Sequence, residues 1–295
     1  MELRGETNMK KLLCTVLALG MAMSMAACGA APAASSEAAS SEAASSEAVS
    51  SEAASSEAAA EESDLEYILG KGKMVIGYTV YEPMNYTDEN GEFVGFDTDL
   101  AKAVCAELGV EPEFVEINWD TKETELAAKS IDCIWNGLTL TPEREANMAC
   151  TDPYVKNAQV VVMKKDAGYT GTADLAGKTL VAEAGSAGEE TITGDENLSQ
   201  GELVTKTVQT DCLMEVAAGT ADAAVLDLTL ASAMIGEGTD YEGLEIVDEL
   251  NVEEYGVAFR KGSDAAAAVN DIFAKLTADG TMQALADVYG LTLAE

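Results

Sequence analysis

Histidine is absent from the 295-residue chain, and basic residues are scarce: 17 Lys and Arg stand against 53 Asp and Glu, for a formal net charge of -36. Without imidazole, general acid–base work falls to carboxylates, and no nucleophile–base pairing stands out, so no catalytic residue is named. The same absence, with no CxxC pair among six cysteines, removes the common zinc arrangements; neither a metal nor a cofactor is expected. The shortage of positive charge excludes nucleic acid as a partner, because phosphate backbones demand basic patches. An excess of surface carboxylates ordinarily keeps an exported protein soluble, and steering of cationic solutes is a second use for it. The apolar stretch from Leu12 to Ala27 is too short for a comfortable membrane span.

That stretch follows Lys10-Lys11 and ends in Met25-Ala26-Ala27-Cys28, the charged, apolar, then small-residue order of an export signal. The ending resembles the lipobox of bacterial lipoproteins. This resemblance implies a signal peptide over 1–28, lipidation of Cys28 and an extracytoplasmic chain anchored to the cell membrane. A cleaved signal followed by an ordinary cysteine is the plainer alternative, and Met9 is a second candidate start. From Ser35 to Ala59 the chain repeats Ser-Ser-Glu-Ala-Ala, with Val49 the one departure. That period fits neither a helical face nor a strand, and no large apolar residue is available to bury. Residues 29–63 therefore read as a disordered linker, a stalk between membrane and domain.

The remainder, Ser63–Glu295, suffices for two small lobes or one large domain. Apolar strand-like runs alternate with helical patterns, which predicts an α/β fold with mostly parallel sheets. The predicted strands are Met74–Tyr78, Glu113–Ile117, Ile131–Trp135, Gln159–Met163, Thr179–Ala182, Leu203–Thr207, Ala223–Leu226 and Leu244–Val247. Asp97 is placed as the cap of a helix with Leu100, Ala101, Val104, Cys105 and Leu108 on its apolar face and Gly109 as its stop. A short helix is expected around Glu123–Lys129. Two helices, Ala265–Ala278 and Thr281–Tyr289, close the chain around the Asp279-Gly280 turn. Cys105, Cys133, Cys150 and Cys212 read as buried free thiols, with a disulfide as the alternative in an exported protein.

Three stretches carry a resemblance. They are IGYTVYEPMNYTDENGEFVGFDTDLAKAVCAELG (Ile76–Gly109), IDCIWNGLTLTPEREANMACTDPYVKNAQVVV (Ile131–Val162), and GVAFRKG (Gly256–Gly262) continuing to the C-terminus. GFDxDLA followed by GxTxTPER at this spacing resembles the polar-amino-acid family of bacterial extracellular solute-binding proteins, the soluble component of ABC importers. The resemblance implies a two-lobed periplasmic-binding-protein-like fold (type II) with two crossover hinge segments. Lobe 1 would combine 64–155 with 259–295, lobe 2 would occupy 158–253, and the crossings would fall at 154–158 and 252–260. It further implies a monomer that binds a free amino acid and delivers it to a permease.

Each ligand-binding candidate has its own reason. Arg144 lies just after Thr141 (N-cap) and Pro142 (N1), in the first turn of a helix, where the macrodipole disfavours a cation and something anionic should compensate. A guanidinium suits a carboxylate with two parallel hydrogen bonds, and the resemblance makes Arg144 the ligand's carboxylate partner. A surface ion pair with a neighbouring glutamate is the alternative. Gly137 and Thr139, read as a loop before that helix, correspond to family contacts, and Asn136 is placed within reach of the ligand's side chain. Asp227 follows an apolar strand, where ligands of α/β sheets gather, and resembles the partner of the α-ammonium; the competing role is a helix N-cap. Ser186 and Ala187 open another helix, whose exposed N–H groups attract carboxylate. Trp119 and Tyr81 correspond to pocket walls, with plain core packing as the alternative. Glu82, Glu123 and Glu125 are candidates for favouring a cationic side chain, although glutamates of this kind are more commonly solvated. The rival readings are an exported enzyme on the same fold, dehydratase-like or murein-acting, and a non-transport surface receptor. No transmembrane signalling segment is read after the domain, which disfavours the receptor.

Overall fold

The computed structural model describes residues 63–295. The signal, Cys28 and nearly all of the 29–63 linker lie outside the described residues, so the lipid anchor and stalk are not addressed by the fold. No described helix is long and apolar enough to cross a membrane.

The described residues open with α1 (Asp64–Lys71), capped by Ser63, whose hydroxyl accepts from the N–H of Glu66. There follow β1 (Lys73–Tyr78), the short hairpin β2 (Tyr86–Thr87) and β3 (Phe93–Val94), α2 (Phe96–Leu108), β4 (Glu111–Glu116), α3 (Lys122–Ala127) and β5 (Cys133–Thr139). Next come α4 (Pro142–Asn147), β6 (Ala149–Cys150), the long β7 (Val155–Lys164), β8 (Thr179–Glu183), α5 (Ala187–Gly194) and β9 (Glu202–Lys206). The order ends with α6 (Gln209–Ala218), β10 (Ala223–Asp227), α7 (Leu228–Met234), β11 (Leu244–Phe259), α8 (Ala265–Ala278) and α9 (Thr281–Tyr289).

The main sheet runs β4-β1-β5-β11-β7-β10-β8-β9, with β6 beside β11. The βαβ connections make β4, β1 and β5 parallel at one end and β10, β8 and β9 parallel at the other. Between them β11 and β7 are antiparallel to each other and to the blocks they border. Helices cover both faces. Val75, Ile134 and Leu138 pack with Leu126 and Trp119 at one end, while Leu180, Ala182 and Val225 pack with Ile192 at the other.

Three expectations need correction. Asp97 does not cap α2: Gly95 is the N-cap residue, and Asp97 turns inward, fully buried. The third predicted strand begins two residues later and runs on through Thr139, because the helix start at Thr141 leaves an extended chain up to it. The last predicted strand, Leu244–Val247, does not stop there but runs on to Phe259 as β11. All four described cysteines are free thiols; Cys105, Cys133 and Cys212 are buried and Cys150 half-buried.

Candidate functional site

A bulge in β5 creates the floor of the site. Leu138 pairs with Gly256 and Ile134 with Ala258, so Trp135, Asn136 and Gly137 together face Val257 alone. Gly137 takes φ +58° there, and its N–H donates to Asp97 Oδ2 at 2.7 Å. Asp97 Oδ1 accepts from Tyr154 Oη at 2.8 Å, and burial pushes its carboxyl up to about 7. Sequence reasoning missed Asp97 as this support because an aspartate near a helix start reads first as a cap.

Thr141 caps α4 through a 3.2 Å bond from the N–H of Arg144, which fixes that residue in the first turn as the sequence requires. The Arg144 side chain then folds back, donating from Nη1 to the Thr139 carbonyl at 2.9 Å and from Nη2 to Glu190 Oε1 on α5 at 2.6 Å. Its anionic neighbour is thus a glutamate remote in sequence, and the guanidinium itself is buried.

Asp227 ends β10. It occupies the N-cap position of α7, but its side chain makes no capping bond. Its Oδ1 accepts from Asn157 Nδ2 and Gln159 Nε2, both at 2.6 Å, and its Oδ2 from Gln209 Nε2. Both of those first amides also donate to Glu253 Oε1, at 2.7 and 2.9 Å, so two carboxylates share one pair of donors. Burial, then the charge of Asp227, pushes Glu253 up to about 7.

These groups converge on one small, narrow cavity between the two strand ends. All nine candidates from the sequence, Tyr81, Trp119, Asn136, Gly137, Thr139, Arg144, Ser186, Ala187 and Asp227, line it, joined by Glu183 and Gln209. A larger, open groove adjoins it past Thr139, Glu190 and Glu253. Tyr81 reaches across to Thr229 and to Tyr255, the latter at 2.5 Å between hydroxyls. Ser186 caps α5 by accepting from the N–H of Glu189 at 3.2 Å, which leaves the N–H of Ala187 at the helix start.

A profile of the bacterial extracellular solute-binding proteins, family 3, matches residues 74–292. The chain belongs to that family. Among its relatives, the arginine-binding extracellular protein ArtP of Bacillus subtilis (strain 168) is 30% identical over 221 residues, covering 73% of this chain and 85% of that protein. The histidine-binding periplasmic protein of Salmonella typhimurium is 33% identical over 225 residues, 71% and 86% of the two chains. A crystal structure of the P235GK mutant of ArgBP from T. maritima superposes with a TM-score of 0.71 at 32% identity, covering 77% of this chain and 98% of that one. The fold is accordingly the α/β fold of the type II periplasmic binding proteins, and the chain is a binding protein rather than an enzyme.

Several residues of this family 3 protein behave differently from their sequence reading. The Asn136 amide is fully engaged: Oδ1 accepts from Thr79 N and Oγ1 at 3.0 and 2.9 Å, and Nδ2 donates to Thr79 O and Asn85 Oδ1 at 2.9 and 2.8 Å. It therefore anchors the loop carrying Tyr81 and has no group left for a ligand's side chain. Glu82, Glu123 and Glu125 do not line the cavity. Glu183, Gln209, Glu253 and Lys122 escaped notice. Lys122 donates to the Gly185 carbonyl at 2.8 Å and lies 4.9 Å from the Trp119 ring centroid; burial, then the charge of Arg144, lowers its amine to about 8.

The bulge yields a stability prediction. A Cβ at Gly137 would stand 2.8 Å from Tyr81 Cε1 and 3.1 Å from Tyr255 Cε2, on a backbone that side chains rarely adopt. Both rings are buried with their hydroxyls tied, so neither can retreat. Gly137→Ala is expected to destabilise the domain by about 2–3 kcal/mol, read as a lower urea midpoint at unchanged slope. An unaltered midpoint would show that the bulge relaxes freely.

Proposed function

We propose that this protein binds a free amino acid outside the cytoplasmic membrane and presents it to an ABC importer permease by closing two lobes around it. The observation that carries this reading is the pairing of a buried guanidinium, Arg144, with a buried carboxylate, Asp227, in the wall of one cavity. A zwitterion needs both partners, and each group as built has capacity left: further N–H donors on Arg144, a further lone pair on Asp227. Ser186 and Ala187 supply hydroxyl and main-chain N–H groups around the carboxylate; the Gly137 N–H is held by Asp97 and the Thr139 hydroxyl hydrogen by Glu253, so these two offer oxygens to the ammonium, and Trp119 and Tyr81 wall the side chain.

In this reading the lobes are 64–155 with 259–295, and 158–253, joined at 154–158 and 252–260. Arg144 then belongs to one lobe and Asp227 to the other, so a ligand satisfies both charges only when the lobes meet. Contacts between those lobes, Arg144 to Glu190, Lys122 to Gly185 and Tyr81 to Thr229, would hold the closed form. The protein acts as a monomer, with Cys28 carrying the lipid and the serine-rich repeat spacing the domain from the membrane.

The test is calorimetric titration with free amino acids and with their N-acetyl and methyl-ester forms. The relatives named for arginine and histidine make these the first to try. Capping either pole is expected to weaken binding at least about 100-fold, since a buried charge is left unpaired each time. Capped ligands that bind as tightly as free ones would overturn the reading.

A further inference from the structure

Glu183 is the one carboxylate of the cavity wall without a settled partner. It ends β8, at the same carboxyl edge of the sheet as Asp227, and is only 3% exposed. Its Oε1 is buried and makes no hydrogen bond among the described residues. The polar side chains beside it are shared with other partners: Gln209 donates to Asp227, and the Thr79 hydroxyl donates to Asn136 at 2.9 Å. Asp227 adds like charge from the neighbouring strand, while the Lys122 amine, the cation facing it, is held by Gly185.

A buried carboxyl oxygen with no donor is costly, and in a ligand cavity the missing donor belongs to the ligand. An aliphatic side chain would leave Glu183 unsatisfied, and an acidic one would add a further negative charge beside Asp227. A cationic group answers both problems. We propose that Glu183 is the specificity-determining residue of this cavity, receiving hydrogen bonds from a positively charged group at the far end of the ligand's side chain, so that the substrate class is a basic amino acid. The inference rests on the zwitterion reading given above, with Arg144 and Asp227 holding the α-carboxylate and α-ammonium.

Proton bookkeeping gives this a second signature. Burial, then the charge of Asp227, pushes the Glu183 carboxyl up to about 8, against the pull of Lys122 and the polar side chains of Gln209 and Thr79. The empty site therefore holds a proton on Glu183 at neutral pH, and a cation docking there displaces it. Affinity for a basic amino acid should rise from pH 6 to about 8 and then level off, and more steeply than affinity for an uncharged isostere, whose α-ammonium feels only Asp227 and its neighbour Glu253.

The experiment is titration of the wild type, Glu183→Gln and Glu183→Leu with arginine, lysine, citrulline and norleucine, in two buffers of different ionisation enthalpy. The wild type should prefer arginine over citrulline, and lysine over norleucine, by about 10–100-fold, with a proton released to buffer at pH 7. In Glu183→Gln both ratios should fall toward one, and the extra proton released with the cations over their uncharged isosteres should vanish. Glu183→Leu should prefer norleucine. A wild type that binds citrulline or norleucine as tightly as the cations, or a Glu183→Gln that keeps the preference, overturns the proposal while leaving the zwitterion reading intact. If no free amino acid binds the wild type, the zwitterion reading falls and takes this proposal with it.

Discussion

Arg144→Ala is expected to weaken ligand binding by about 2–5 kcal/mol, roughly 30-fold to several thousand-fold in dissociation constant. The expectation follows from where the guanidinium sits. Its side chain is 5% exposed, whereas its present partner Glu190 is 56% exposed. Removing the arginine lets Glu190 return to water at little cost, so the ion pair itself contributes little to the stability of the unliganded protein. A ligand carboxylate in the enclosed cavity has no such recourse and would be left desolvated. The unfolding free energy of the empty protein should therefore move by no more than about 1 kcal/mol while affinity collapses. Arg144→Lys should recover only part of the loss, because an ammonium keeps the charge without the fork. A dissociation constant for Arg144→Ala equal to that of the wild type would remove this residue from the site.

Asp227→Asn should cost nearly as much, and for two separable reasons. Three amide donors converge on the carboxylate, two on Oδ1 and one on Oδ2. An asparagine has one oxygen, so its NH₂ must face at least one of those donors, and the domain should lose about 1–3 kcal/mol of stability. The second effect is the loss of the ammonium's counter-charge, on the order of 100-fold in affinity. The two are resolved by comparing an amino acid with the α-hydroxy acid bearing the same side chain. The ammonium-dependent part should disappear with the hydroxy acid, which has no cation to lose. Equal penalties for both ligands would reassign Asp227 to holding the crossing strands together.

The alternation of elements and the stretches that line the candidate cavity were readable because they rest on local signals. Thr141 and Pro142 announce the helix that carries Arg144, and an acidic residue after the apolar run Ala223–Leu226 marks a strand end where ligands gather. The second rule applies equally to Glu183, which follows Thr179–Ala182, and it would have found that residue if used for every strand. Gly137 was harder. Its place inside β5 depends on a bulge against β11, a strand more than a hundred positions away, and nothing local distinguishes such a glycine from one in a turn. Glu253 and Gln159 gave no signal because they acquire meaning only when β11 and β7 lie side by side. Asn136 was assigned to the ligand for want of knowing that Thr79 and Asn85 would claim its amide.

The side-by-side course of β7 and β11 has one more consequence. Their ladder runs from Leu244 opposite Lys164 to Tyr255 opposite Val155, interrupted by register shifts near Ile246 and Glu249. A ribbon of this kind resists sliding, since a slip by one residue would turn every side chain to the wrong face, but it yields to torsion. If the two proposed lobes move about it, their motion would be confined to something near a single angular coordinate, with the shared amides of Asn157 and Gln159 on that axis. Substitutions along the ribbon away from Asn157, Gln159, Glu253 and Tyr255 would then alter how readily the molecule twists and leave its choice of solute unchanged.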